Sequence, residues 1–415
     1  MLRADGHQVT CLDAAVQPVP SGVWQTAGMI AFHLPMHTAT RLAAPLIERA
    51  RSANASARLC CYGLYAALNA PFLRSLGVEH IVGGEFEEGL RRVAGGLPAG
   101  DLISLERIAF RTPDRSTLPP LESYAGIDLD GSVKVAGYTE ASRGCKHRCR
   151  HCPVVPVYQG KFRVVPAEVV LADIRQQAEA GAEHVTFGDP DFFNGPTHAI
   201  RIAEQLHAEF PRITYDATIK IEHLLAYRGL LPVLARTGCV LITSAVESVD
   251  DRVLALLDKG HTRADFVEAV GLTRAAGLNL APTFIPFTPW TTRDSYRNLL
   301  RAIVDLDLVE NVAAVQLALR LLIPAGSPLV ELEDIRSVMD PFSPAELLHR
   351  WRHTDPHMDK LARELLDLVD REQKLGASRA NCFAAIWRAA SEDQLPELNL
   401  VARAAVPFLT EPWYC

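Results

Sequence analysis

Apolar residues in the first hundred positions fall into short runs separated by stretches with helical spacing. The runs are Met29-Ile-Ala-Phe-His-Leu-Pro35, Arg58-Leu-Cys-Cys-Tyr-Gly63 and His80-Ile-Val-Gly-Gly84, with an earlier candidate at Gln8–Asp13. Ala39–Arg51 and Ala67–Leu76 lie between them and read as helices. Strands that alternate with helices predict a parallel sheet, hence an α/β unit over residues 1–100. Residues 101–132 lack a period and contain Pro113, Pro119, Pro120 and Gly126, so they read as a linker. Alternation resumes over residues 133–330. Strands are expected at Val133–Thr139, His184–Gly188, Ile213–Ile219, Cys239–Val246, Asn279–Pro286 and Val312–Leu322. A helix is predicted from Pro166, with Val170, Ile174 and Ala178 on one face. Ser343-Pro-Ala-Glu346 has the form of a capping box and predicts helices to about Lys374, with another at Asn381–Ala390. Residues 331–415 therefore read as a helical region.

Composition narrows the class. The chain has 415 residues, enough for two or three domains, and its 48% hydrophobic and 22% charged content suits a globular protein. A net charge of −7 gives no global positive field, so no nucleic-acid partner is expected. No apolar run reaches the roughly 18 residues of a membrane span, and no export leader is seen, so no membrane partner is expected. Nine cysteines, an odd count, argue against a disulfide scaffold. A reducing cytoplasm suits free thiols better.

Three of those cysteines lie in one short loop, Cys145-Lys-His-Arg-Cys149-Arg-His-Cys152. The spacing C-x3-C-x2-C lets a tight loop wrap three soft thiolates around three corners of a [4Fe-4S] cube. A fourth nearby Cys would close the cube, but the next in the chain, Cys239, is 87 residues on. One iron is thereby left open to a ligand from outside the protein. A zinc loop would need a second Cys or His pair at fixed distance, and His147 and His151 sit too close to their Cys neighbours to form one. Basic residues around Arg143–Arg150 then read as balancing a negative cluster and cofactor.

The spacing and its place after a strand resemble the radical S-adenosylmethionine (radical SAM) superfamily. The resemblance implies a partial (β/α)6 TIM-type barrel over residues 133–330, with the open iron chelating the methionine moiety of S-adenosylmethionine. It also implies roles for particular residues. His151, before the third Cys, takes a position that usually holds an aromatic side chain against adenine. Gly188-Asp-Pro-Asp191 resembles the Gly-Gly-Glu element, which places Gly188, Asp189 and Asp191 near the methionine amino group; a cap at Asn194 is the structural alternative. The run from Ser244 to His261 resembles a G-x-E-S…K-G-H/x-T stretch, which places Ser244, Glu247 and Ser248 near the ribose or the carboxylate. Ser248 as a helix cap is the alternative there. Lys220 and Arg320 are further candidates at strand ends, each with a salt bridge as its alternative. Trp290 and Ser327 lie at such ends too.

Residues 1–100 resemble the Rossmann-like, cobalamin-binding-type domain that precedes many radical SAM cores, the match being closest at Leu76-Gly-Val-Glu-His-Ile-Val-Gly-Gly-Glu85. The resemblance allows cobalamin, but the D-x-H-x-x-G motif that supplies a cobalt ligand is absent. His33, His37, Cys60 and Cys61 fall near expected strand ends, where they read either as a ligand site or as a buried Cys pair with capping histidines. The unit opens on what reads as a helix end, so an upstream strand and helix are expected to be missing. The ending Glu411-Pro-Trp-Tyr-Cys415 resembles a radical SAM group that finishes in Cys-selenocysteine-Ala-Glu-Pro or Cys-Cys-Ala-Glu-Pro. On that resemblance Cys415 is a candidate catalytic residue, and a selenocysteine codon is expected to follow it.

The expected activity is reductive cleavage of S-adenosylmethionine, with the resulting radical modifying a small molecule. A reductant such as flavodoxin or ferredoxin is the expected partner. The alternatives are a methyl- or methylthiotransferase acting on RNA or peptide, and a non-catalytic iron–sulfur module.

Overall fold

The computed structural model describes residues 1–400 and 406–410. Cys415 lies outside the described residues. Two parallel sheets carry the architecture. The first orders β1 (Met29–His33), β2 (Arg58–Tyr62), β3 (His80–Gly84) and β4 (Ile103–Ser104) side by side. Ile30, Leu59 and Ile81 are buried against the helix His37–Ala53 and the short helices Leu64–Leu68 and Ala70–Ser75, and Val82 packs on the other face with Leu90 and Val93 of the helix Glu87–Ala94. The strand expected at Gln8–Asp13 does not form. That segment has no neighbouring strand to complete its backbone hydrogen bonds, and a helix at Ser21–Thr26 leads the chain into β1 instead. The expected linker is also partly ordered. β4 closes the first sheet, and β5 (Ile127–Leu129) pairs antiparallel with β6 (Ser132–Lys134).

The second sheet is the barrel. It runs β13–β12–β11–β10–β7, all parallel, with β7 at Ala136–Thr139. An antiparallel hairpin, β8 (Ser142–Gly144) and β9 (Phe162–Val164), follows β7. The remaining staves are β10 (His184–Phe187), β11 (Thr214–Thr218), β12 (Cys239–Glu247) and β13 (Asn279–Phe284). Val185, Phe187, Tyr215, Ala217, Ile242 and Phe284 are buried in one continuous core with the surrounding helices. Burial on both faces is the reason these strands read as apolar runs.

The sixth stave, expected at Val312–Leu322, is reduced to a single parallel bridge between Phe287 and Arg320. Ala314–Leu317 coils into a 3-10 turn, and Gln316 Oε1 accepts the Phe284 amide at 3.1 Å. A side chain thus satisfies a backbone donor on the β13 edge that a sixth strand would have bonded. The helices Pro356–Lys374 and Arg379–Ala390 pack here, and Met358, Leu365, Phe383 and Trp387 join the barrel core. The cap expected at Ser343–Glu346 is a hairpin turn between β14 (Met339–Ser343) and β15 (Leu348–Trp351). Leu347 takes a left-handed φ of 60° there and its amide bonds back to Ser343, which reverses the chain instead of starting a helix. A last short strand, β16 (Phe408–Leu409), pairs with β5.

Candidate active site

The cysteine loop leaves the end of β8 and crosses the mouth of the barrel. Gly144 sets its start: its φ is +75°, and a Cβ there would meet the Lys161 carbonyl at 2.5 Å. Asn194 holds the first turn. Its Oδ1 accepts the Lys146 amide at 3.2 Å, its Nδ2 donates to the Gly144 carbonyl at 3.3 Å, and Cys145 Sγ lies 3.6 Å from Oδ1. The helix cap read as the alternative role of Asn194 is not formed. The far side of the loop is tied down by Arg150. Its amide donates to Leu257 at 2.9 Å, its guanidinium to Ala255 and Leu256, and its carbonyl accepts Ser327 Oγ at 2.9 Å.

Cys145 and Cys149 are buried, Cys152 is half-buried, and all three are free thiols. Burial pushes the Cys152 thiol up to about 12, with the Cys149 and Cys145 sulfurs adding to it and a backbone hydrogen bond from Val154 opposing it. Lys220 Nζ is 3.8 Å from Cys149 Sγ. The donor set fits an iron–sulfur cluster: three soft ligands on one braced loop, with a buried ammonium beside them to balance thiolate charge. Cys239 opens β12 at the opposite end of that strand from Glu247, and Cys60 and Cys61 lie in the first sheet.

Glu247 closes β12 at the barrel mouth. It has a left-handed φ of 66°, at a register shift between β12 and β13 that turns its side chain toward the loop. Its Oε1 lies 3.0 Å from His151 Nε2 and 3.2 Å from Lys259 Nζ. Burial alone would raise its pKa, but Lys259 and then His151 outweigh burial and hold it at about 2. The carboxylate is therefore a fixed anion next to the third cysteine.

The other sequence candidates fall in distinct places. Asp189 is buried, accepts the Ala141 amide at 2.9 Å and Ser142 Oγ at 2.5 Å, and so braces the start of the cluster hairpin. Burial pushes it up to about 7 against those hydrogen bonds. Gly188 packs under the Tyr138 ring. Asp191 Oδ1 accepts the Phe193 amide at 3.1 Å, and Oδ2 lies 2.6 Å from His223 Nδ1. Ser244 Oγ is buried without a partner inside β12, and Ser248 Oγ accepts the Asp250 amide at 3.0 Å. Asp250, not Ser248, caps the next helix, Asp251–Leu257.

Lys220 also contacts Glu222 at 3.3 Å. Arg320 is committed to structure: it donates to Asp359 at 2.6 Å and to the Trp351 carbonyl, and it stacks on the Trp351 ring. Trp290 Nε1 donates to Asp334.

Sequence reasoning passed over Lys259, His223 and the role of Arg143. Lys259 was visible as the Lys of the Lys-Gly-His run; His223 and Arg143 carry no local signal. Arg143 Nη1 bridges from β8 to Glu87 at 2.6 Å and Glu85 at 3.4 Å, which couples the first sheet to the cluster hairpin. At the C-terminal edge of that sheet, His33 stacks on Tyr62 at 5.0 Å and Phe86 packs against both. Cys60 and Cys61 are fully buried, as in the structural alternative for that pair.

The parallel barrel with a three-thiol loop at its mouth is the part of the chain that matches a known family: residues 139–303 match the Radical SAM superfamily model. Among curated relatives, tRNA-2-methylthio-N(6)-dimethylallyladenosine synthase of Chlorobium phaeobacteroides (strain BS1) is 29% identical over 168 residues, 37% of this chain and 36% of that one. The synthase of the same name from Pseudomonas savastanoi pv. phaseolicola is 26% identical over 221 residues, 50% of this chain and 49% of that one. The chain thus spans between about a third and a half of these relatives' length.

Two solved structures share the fold. The cobalamin-dependent S-adenosylmethionine radical enzyme OxsB, with aqua-cobalamin bound, superposes with a TM-score of 0.61 at 15% identity, over 84% of this chain and 59% of that one. The radical S-adenosylmethionine methyltransferase TsrM from Kitasatospora setae does so with 0.55 at 16% identity, over 69% and 62%.

The relatives overturn one expectation. A small-molecule substrate with no nucleic-acid partner does not stand beside relatives whose names specify tRNA. Net charge is a weak guide here, because it averages the whole chain, whereas nucleic acid is met by local patches.

Proposed function

We propose that this protein binds S-adenosylmethionine at a [4Fe-4S] cluster held by Cys145, Cys149 and Cys152 and cleaves it reductively. The observation that carries this reading is the braced three-thiol loop beside the Glu247 anion, with no fourth cysteine on the loop. When bound, the cluster supplies one electron to the sulfonium, and homolysis of a carbon–sulfur bond supplies a carbon radical. The chain's own residues do the positioning. Asn194 and Arg150 fix the two sides of the loop. Lys220 and Lys259 place positive charge beside the sulfurs. Glu247, kept ionised, offers an acceptor at the mouth for the nucleoside or amino-acid hydroxyl and ammonium donors. The strand end Gly188–Asp191 contributes carbonyl acceptors, since the Asp189 carboxylate is already engaged.

The curated relatives favour a group-transfer outcome on a tRNA nucleoside as the first substrate to test. The cleavage step needs no cobalamin; the sequence lacks a D-x-H-x-x-G motif, but the OxsB and TsrM structures carry cobalamin, so it stands as a further cofactor to test. The test is anaerobic reconstitution, reduction with dithionite and addition of S-adenosylmethionine, with and without unmodified tRNA. Release of 5′-deoxyadenosine is the expected result, and a mass increase on tRNA nucleosides supports the transferase reading. A cluster that forms but leaves S-adenosylmethionine intact removes the proposal.

A further inference from the structure

A second cluster of ligating side chains stands next to the thiol loop and is not used by the chemistry above. His147 comes from the loop itself, between Cys145 and Cys149. Asp191 comes from the turn after β10, and His223 from the helix Ile221–Ala226 after β11. Each offers one ligand atom, and these atoms all lie within 4.8 Å of one another. The Asp191 side chain is 0% exposed and that of His223 4%.

One hydrogen bond, between His147 Nε2 and His223 Nε2 at 3.1 Å, joins the two imidazoles, but no hydrogen bond accounts for the approach of Asp191. Asp191 Oδ2 and His223 Nδ1 are 2.6 Å apart, yet neither forms a directed hydrogen bond, and both are buried without another partner. The imidazole N–H axis is not aimed at the oxygen. A carboxylate oxygen and a ring nitrogen buried edge to edge in this way cost desolvation unless something sits between them. His147 Nε2 lies 3.8 Å from the same Oδ2 and 3.1 Å from His223 Nε2. Glu222 Oε2, 3.5 Å from His147 Nδ1, orients that ring from behind, as the outer carboxylate of a ligating histidine does.

We propose that His147, Asp191 and His223 form a second metal site, for a divalent first-row transition ion, separate from the cysteine cluster. Two imidazoles and one carboxylate are a standard donor set for zinc or ferrous iron, and three protein ligands leave a coordination position open. Tetrahedral ligand atoms about 2.0–2.2 Å from one ion stand about 3.3–3.6 Å apart, so the edges of 2.6 and 3.8 Å and the third, within 4.8 Å, need side-chain shifts of up to about 1 Å, with the bond between the imidazoles exchanged for bonds to the ion. Because His147 belongs to the thiol loop, the ion would sit at the barrel mouth and pin that loop to the turn after β10. Its open position would take a nitrogen, oxygen or sulfur donor of the substrate.

The site is testable apart from any activity. Anaerobically reconstituted protein is incubated with Zn2+, desalted, and its metal content measured by inductively coupled plasma mass spectrometry. Wild type is expected to retain about one zinc beside about four irons. His223→Gln and Asp191→Asn are expected to lose zinc at least 10-fold while keeping wild-type iron. X-ray absorption at the zinc edge is expected to show a nitrogen/oxygen shell with no sulfur. Failure of wild type to retain zinc, a zinc–sulfur shell, or undiminished zinc in both variants overturns the proposal. Should a variant lose iron through misfolding, the absorption spectrum of wild type decides alone. Absence of S-adenosylmethionine cleavage would leave this result standing, so the two proposals fail separately.

Discussion

His151 Nε2 meets Glu247 Oε1 at 3.0 Å, and this contact joins the cysteine loop to the end of β12 across 96 residues of chain. Lys259 completes the group from the other side at 3.2 Å. The loop is thus tied through His151 to the buried Glu247–Lys259 ion pair as well as by backbone bonds.

Removing one member of that pair leaves the other charge buried alone. Glu247→Gln is expected to destabilise the fold by about 3 kcal/mol, in the range for breaking a buried ion pair. Glu247→Gln/Lys259→Met should recover part of the loss. Urea unfolding of the metal-free chain, followed by tryptophan fluorescence, checks both.

The same carboxylate sets a pH dependence. Its pKa falls from 4.5 to about 2 on folding, so its contribution is present above 4.5 and is lost as pH drops through about 2. The stability gap between wild type and Glu247→Gln should narrow over that window. A gap that stays constant from pH 5 to about 2 would show that the carboxylate is not held this way.

Only three of the cysteines should matter for iron. Cys145→Ala, Cys149→Ala and Cys152→Ala are each expected to abolish S-adenosylmethionine cleavage and lose most of the iron. Cys239→Ala should leave iron content at the wild-type level, because that thiol is buried at the far end of β12. Iron analysis after reconstitution separates the two groups.

Gly144 is irreplaceable for a geometric reason. An alanine would need a left-handed φ and would place its Cβ 2.5 Å from the Lys161 carbonyl. Gly144→Ala is expected to destabilise the hairpin by about 1–3 kcal/mol and lower cluster occupancy. Hydrogen exchange of residues 142–164 should rise more than that of the barrel strands.

Arg143 couples the two sheets. Arg143→Met leaves Glu85, which is buried, without its cation. Limited proteolysis is expected to cut residues 95–132 faster in this variant, with cluster binding weakened less than by the Gly144 change.

Local signals determined a good part of this protein. The C-x3-C-x2-C spacing and its place after a strand are short-range properties, and so is the apolar periodicity of β10, β11, β12 and β13. The place of Glu247 at the end of a strand was also legible, since a Glu–Ser pair after an apolar run is read within a few residues. The tertiary structure decided the rest, because it depends on partners distant in sequence. Asp189 had the right type and position for a cofactor contact, yet its carboxylate turns to Ala141 and Ser142, 48 and 47 residues away. Arg320 went to Asp359, and the sixth stave gave way to a glutamine side chain capping the β13 edge. His147, Asp191 and His223 lie on three separate segments, and no spacing rule brings them together. Their meeting follows from strand order, which places the turns after β10 and β11 side by side at the mouth where the cysteine loop crosses.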